Sequence, residues 1–207
     1  MSSGRAGLYR TGNTLHTAIS LLADGAGHLG GGVYDTASTT LYRDGEEYAT
    51  VDDVLDFAEF TVPEEEAGYR LETTLSRTGV SSVSSRVTAS YTFTSAFVDE
   101  EKTTVPPASA VRFAPELGPD STAEAGANIQ VPVTVQGSAA DDPKELTVSV
   151  SFDGGETWEP LAVADGEVTV ADPEEAGAGV SFRAEVTDGD GNELVQTIID
   201  AYRTAAA

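Results

Sequence analysis

Asp188-Gly-Asp190-Gly-Asn192 sets three oxygen-bearing side chains at alternate positions, the spacing with which a loop wraps a calcium ion. Glu193 stands where the sharp-turn glycine of such a loop belongs, and Ile199 stands where its bidentate glutamate belongs. The expected reading is a plain turn between two strands, with Asp188, Asp190 and Asn192 kept as the metal candidate. Gly25-x-Gly27-x-x-Gly30 matches a dinucleotide fingerprint by letter. That fingerprint needs a helix opening at the last glycine to aim N–H groups at a pyrophosphate, whereas Gly31, Gly32 and Val33 lead toward a strand. No cofactor is expected. Nucleophilic catalysis needs a base oriented beside a serine, and His16 and His28 are the only histidines. His16 falls on a strand and is expected to face solvent, and His28 lies in the glycine-rich loop. Gly-x-Ser-x-Gly and His-Glu-x-x-His do not occur, and there is no cysteine, so thiolates, disulfides and Cys-bound zinc are excluded together. No catalytic residue is assigned.

The most informative stretch is structural. Ser151, Asp153, Gly155 and Trp158 share the layout Ser-x-Asp-x-Gly-x-Thr-Trp. A short carboxylate at Asp153 can accept from backbone N–H groups ahead of it, and Gly154 and Gly155 can take positive φ. Trp158 then covers the underside of the turn and is assigned to the core. The spacing resembles the Asp-box hairpin of sialidase-like propellers, where it recurs blade after blade. Here it occurs once, so it is read as a turn that sets its own register.

The elements that carry these residues are strands. Leu146, Val148, Val150 and Phe152 alternate with polar neighbours, as do Leu15 and Thr17, Tyr69 to Leu75, and Val87 to Phe93. Asp44-Gly45 marks a two-residue hairpin turn between Thr39 and Val51. Tyr69 opens its strand after a corner, in the manner of the tyrosine corner of sandwich folds. Pro132 interrupts an apolar run and predicts an edge strand. The best helical stretch, Thr122 to Ala127, is too short to stand, so almost no helix is expected.

Both halves run in the same order: strand, Asp-Gly turn, strand, short strand, Pro-Glu-Glu corner, long strand. The pattern predicts an all-β chain of two tandem immunoglobulin/fibronectin-III-like β-sandwich domains, residues 1–98 and 109–207. An extended, stiff linker, residues 99–108, contains a Pro-Pro pair.

Charge narrows the partners. Seven basic and sixteen acidic side chains leave −9 in residues 1–104; four and nineteen leave −15 in residues 105–207. A net charge of −24 repels nucleic acid and anionic membrane surfaces, which need basic contacts. No apolar run reaches the roughly 18 residues of a membrane span, and Met1 to Arg10 lacks the apolar stretch of a signal peptide.

The segments LYRDGEEYATV, FTVPEEEAGYRLETT, LTVSVSFDGGETW and VSFRAEVTDGDGNELVQTIIDAY resemble the region behind the peptidase domain of secreted bacterial subtilisin-like serine proteases. The likeness runs from about Leu15 to Tyr202, and the catalytic signatures of that family are absent. It implies a non-catalytic accessory region of a secreted precursor that aids folding, spacing or protein-substrate engagement. Its partners would be the upstream peptidase domain or a protein substrate. The alternative is a free-standing extracellular adhesion or glycan-binding module, which would need an exposed aromatic platform that the core assignment of Trp158 does not supply. An independent hydrolase ranks last, for want of a nucleophile and base.

Overall fold

A strand whose residues alternate apolar and polar buries one face only if a second layer covers it. The computed structural model describes residues 7–23, 29–53 and 57–206, and every regular element among them is a strand. The first half contributes β1 (Gly7–Thr11), β2 (Thr14–Ala18), the short pair β3 (Leu22–Ala23) and β4 (Leu29–Gly30), β5 (Thr36–Arg43), β6 (Glu46–Asp52), β7 (Ala58–Thr61), β8 (Ala67–Ser76) and β9 (Arg86–Ser95). The second contributes β10 (Ser109–Phe113), β11 (Thr122–Glu124), β12 (Asn128–Gly137), β13 (Glu145–Ser151), β14 (Glu159–Leu161), β15 (Glu167–Ala171), β16 (Gly179–Thr187) and β17 (Glu193–Ala205).

In each half a three-stranded sheet faces a four-stranded one. The orders are β1-β2-β7 against β6-β5-β8-β9, and β10-β12-β15 against β14-β13-β16-β17. This is the immunoglobulin/fibronectin-III-like sandwich arrangement, present twice. The alternation read from the sequence lands on the inner faces: Leu8 and Leu15 are buried opposite Leu71, Tyr91 and Phe93, and Val111 and Val131 opposite Phe182 and Leu194. Stacked pairs Tyr69–Phe93 and Phe113–Phe182 thicken the two centres.

The halves do not sit as beads on a string. β9 and β17, the last strand of each half, pair antiparallel from Arg86↔Ile199 to Thr92↔Glu193. The two four-stranded sheets thereby fuse into one path of eight strands, with β11 added in parallel along β17 beyond the end of β9. Buried residues of both halves form one continuous cluster. Each half's last strand would otherwise present a row of unpaired N–H and C=O groups, and the pairing removes both edges at once. Residues 99–108 run beside β1, where Arg10 and Thr104 exchange backbone hydrogen bonds of 2.8 and 3.0 Å.

Two expectations are corrected, at Pro132 and Tyr69, and the stretch Thr122 to Ala127 is non-helical as expected. Pro132 lies in β12, the central strand of its sheet. Its carbonyl accepts from Ala114 N at 3.0 Å, and the N–H that proline lacks would face the same side, where β10 has ended at Phe113 and Pro115 follows. The ladder gives up only the reciprocal bond to Ala114, at the last pair before the partner chain turns away at Pro115. Thr122 to Ala127, the best helical stretch, is the strand β11 followed by a turn at Gly126, its ladder supplied by β17. Tyr69 is buried, but its hydroxyl makes no hydrogen bond to an upstream backbone group, so the corner bond is missing.

Candidate functional site

The Ser151–Trp158 turn closes on its own side chains. Asp153 Oδ1 accepts from the backbone N–H groups of Glu156 and Thr157 at 3.0 Å each, and Oδ2 accepts from the Thr157 hydroxyl at 2.6 Å. Ser151 donates its hydroxyl to Asp153 Oδ1 at 2.7 Å and accepts from Gly155 N at 2.9 Å. The Thr157 hydroxyl and N–H, with Ser151 behind them, hold the Asp153 carboxyl well below the usual carboxylate range. Gly155 has φ +91°, and a Cβ there would press on Ile199 and the Trp158 ring. Trp158 itself is half-buried rather than core: its indole N–H donates to Gly155 O at 3.1 Å, and the ring lids the turn from outside. Position 158 immediately precedes the short edge strand β14, too far out on the sheet to reach the interior.

Asp188, Asp190 and Asn192 occupy the turn between β16 and β17. The Asp188 carboxylate is consumed within the turn: Oδ1 accepts from Asp190 N and Asn192 N at 3.0 and 2.9 Å, and both oxygens accept from Asn192 Nδ2. Burial pushes its pKa up, and the hydrogen bonds from Asn192 outweigh that and leave it lowered. Asn192 therefore points its nitrogen, not its oxygen, at the centre of the loop. Among the described residues no three His, Cys, Asp or Glu side chains gather as a metal site.

His16 stands on the outer face of β1-β2-β7, its ring stacked on Tyr9 at 4.6 Å and flanked by Phe57 at 6.3 Å, with Glu59 Oε1 2.9 Å from Nδ1. Its side chain is 19% exposed, so the neighbouring rings shield much of a residue expected to face solvent. His28, Gly25 and Gly27 lie outside the described residues; Gly30 pairs with Leu22 in the β3–β4 ladder.

Sequence reasoning missed the polar clasps at the junction. Gln196, on the inner face of β17, donates Nε2 to Val111 O at 2.7 Å and accepts from Val111 N at 3.2 Å, capping the free edge of β10. Farther along, Asp200 adopts φ 52° at a bulge, and its Oδ2 accepts from the Ser85 hydroxyl at 2.6 Å. Ser84 N and Ser85 N donate to Asp200 O and Ile199 O at 2.6 and 3.0 Å, and Arg203 Nε donates to Ser82 O at 2.9 Å. A polar residue on an otherwise apolar strand face, as Gln196 is between Leu194 and Ile198, was the available signal.

Along this seam, between the two three-stranded sheets, two adjoining cavities of about 220 and about 90 Å³ share Ser20, Tyr91, Ala110 and Arg112. Tyr91 is 5% exposed, and burial pushes its phenol up to about 12 against the opposing charge of Arg112.

No family model and no curated protein matches this chain. Among solved structures, the amphioxus IgVJ-C2 molecule is similar at 11% identity and a TM-score of 0.25, covering 92% of this chain and 97% of that one. The extracellular domains 3–5 of Drosophila OTK are similar at 8% identity and a TM-score of 0.26, covering 95% of this chain and 93% of theirs.

Proposed function

We propose that this chain is a rigid, non-catalytic accessory unit, the tandem β-sandwich region of a secreted subtilisin-like serine protease. The observation that carries the accessory role is the β9–β17 ladder with its clasps. Seven residue pairs of main-chain register and the bonds from Gln196 and Ser85 make the two sandwiches one body. Such a body is suited to spacing a catalytic domain from a surface or presenting a fixed face to a protein substrate. The protease association is supported by the strand and turn segments from Leu15 to Tyr202 named above.

Two measurements test the reading. The isolated chain, incubated with casein, should give no turnover. The open reading frame ahead of residue 1 should encode a peptidase domain with Asp, His and Ser signatures. Turnover by the isolated chain would overturn the non-catalytic role, and an unrelated upstream domain would overturn the protease association. A specific signal on a glycan array would favour the adhesion or glycan-binding alternative instead.

A further inference from the structure

The chain carries 35 acidic side chains against 11 basic ones, so an arginine without a carboxylate partner is conspicuous. Arg112 is such a residue. Its Nε donates to Gln136 Oε1 at 3.1 Å, while among the described residues its two terminal nitrogens bond nothing and no carboxylate lies within ion-pair distance. Tyr91, across the same cavity, is 5% exposed, and its hydroxyl likewise bonds no group among the described residues. A phenol hydroxyl that opens on the cavity, beside an unpaired guanidinium edge, offers a place for an incoming acceptor. The remaining walls are mostly apolar, from Ala18, Ile19, Ala108 and Ala110, with Ser20, Ser109 and Gln136 between them.

We infer that the 220 Å³ cavity at the seam binds a carboxylate with a small branched apolar body, the carboxylate on Arg112 and Tyr91 and the body against the alanine and isoleucine walls. The guanidinium edge offers parallel N–H donors that match a carboxylate, and the phenol donates a third hydrogen bond. A free short-chain acid and the C-terminal residue of a peptide present the same chemistry. The site needs both halves, because Tyr91 comes from β9 and Arg112 from β10.

The test is an amide-resolved NMR titration of the whole chain with isovalerate and with N-acetyl-leucine, using isovaleramide as the uncharged control. Shifts are expected at Ala18, Ile19 and residues 108–112, saturating in the millimolar range, with none from the amide at equal concentration. Arg112→Gln should weaken binding about tenfold or more, and Tyr91→Phe by a few-fold, with the rest of the spectrum unchanged. Binding of isovalerate assigns the free acid, and binding of N-acetyl-leucine alone assigns the peptide terminus; either supports the site. No saturable shift with either acid, equal shifts with isovaleramide, or full binding by a folded Arg112→Gln variant would overturn it.

Discussion

The carboxamide of Gln196 holds both backbone groups of Val111, its Nε2 at 2.7 Å from the carbonyl and its Oε1 at 3.2 Å from the amide nitrogen. One side chain thus stands in for a missing strand along the free edge of β10 and ties it to the sheet shared by both halves. Gln196→Leu should cost about 1–3 kcal/mol by leaving buried peptide groups unpaired, read as a lowered midpoint in urea unfolding. Gln196→Glu is the sharper variant. Its carboxylate cannot donate to Val111 O at neutral pH, but the protonated acid can, so its deficit should shrink as the pH falls.

Arg10 is fully buried, and among the described residues no carboxylate pairs with it. Its guanidinium donates to Pro63 O at 2.7 Å, Gly12 O at 3.1 Å, Ser95 Oγ at 3.3 Å and Asn13 Oδ1 at 3.4 Å, joining β1 to the corner before β8 and the end of β9. Arg10→Met should lower stability by about 2–4 kcal/mol because two carbonyls lose their donors. Arg10→Lys should recover less than half of that in chemical denaturation, since one ammonium cannot span four divergent acceptors.

Gly179 lies against the Asp200 carboxylate, and a Cβ at that position would collide with Oδ1. Gly179→Ala should therefore push Asp200 off Ser85 and loosen the far end of the junction, at about 1–3 kcal/mol. Hydrogen exchange should report it locally, with faster exchange at Ser84 and Ser85 and little change at β5.

Two carboxylates titrate with opposite sign. Asp153 is lowered from 3.8 by its hydrogen bonds, so it stabilises the fold above the ordinary carboxylate range and that contribution is lost as pH falls through its depressed midpoint. Asp172 is buried and accepts from the Tyr202 hydroxyl at 2.6 Å; burial raises its pKa above 3.8 even though that hydrogen bond opposes the rise. Its favourable contribution is present below the ordinary range and lost as pH rises through the elevated midpoint. In melting curves from about pH 3 to about pH 8, Asp172→Asn should gain on the parent as pH rises, and Asp153→Asn should fall behind it. Parallel curves for either variant would contradict the assignment.

Trp158→Ala tests the half-buried lid. A core tryptophan would cost about 3–5 kcal/mol, whereas a ring over an edge turn should cost roughly 1–2 kcal/mol. Asp153→Ala should lower the melting temperature, because the turn N–H groups of Glu156 and Thr157 lose their carboxylate acceptor. A calorimetric cost of about 3 kcal/mol or more for Trp158→Ala would place the ring deeper than its exposure indicates.

Local information was legible residue by residue. The alternation at Tyr69 to Leu75 and Val87 to Phe93 named the buried faces because side chains of a strand point to opposite sides in strict succession. Asp44-Gly45 named a turn because both residues accept positive φ, at 52° and 87°. Ser151 to Trp158 named a turn because every hydrogen bond in it spans at most four residues.

The tertiary structure decided everything that depended on partners far along the chain. Gln196 and Val111 are 85 residues apart, as the Gln196–Val111 bonds record, and Ser85 meets Asp200 across 115. No periodicity encodes such a meeting, so the fusion of two sheets through β9 and β17 was invisible in one dimension. The same limit misplaced Pro132 on an edge and Trp158 in the core. A proline's cost depends on where the neighbouring strand ends, and an aromatic's burial depends on which layer covers it. Residue type and spacing determined the strands, their turns and their inner faces; only the folded chain determined which edges met, because a backbone edge carries the same donors and acceptors whatever its sequence.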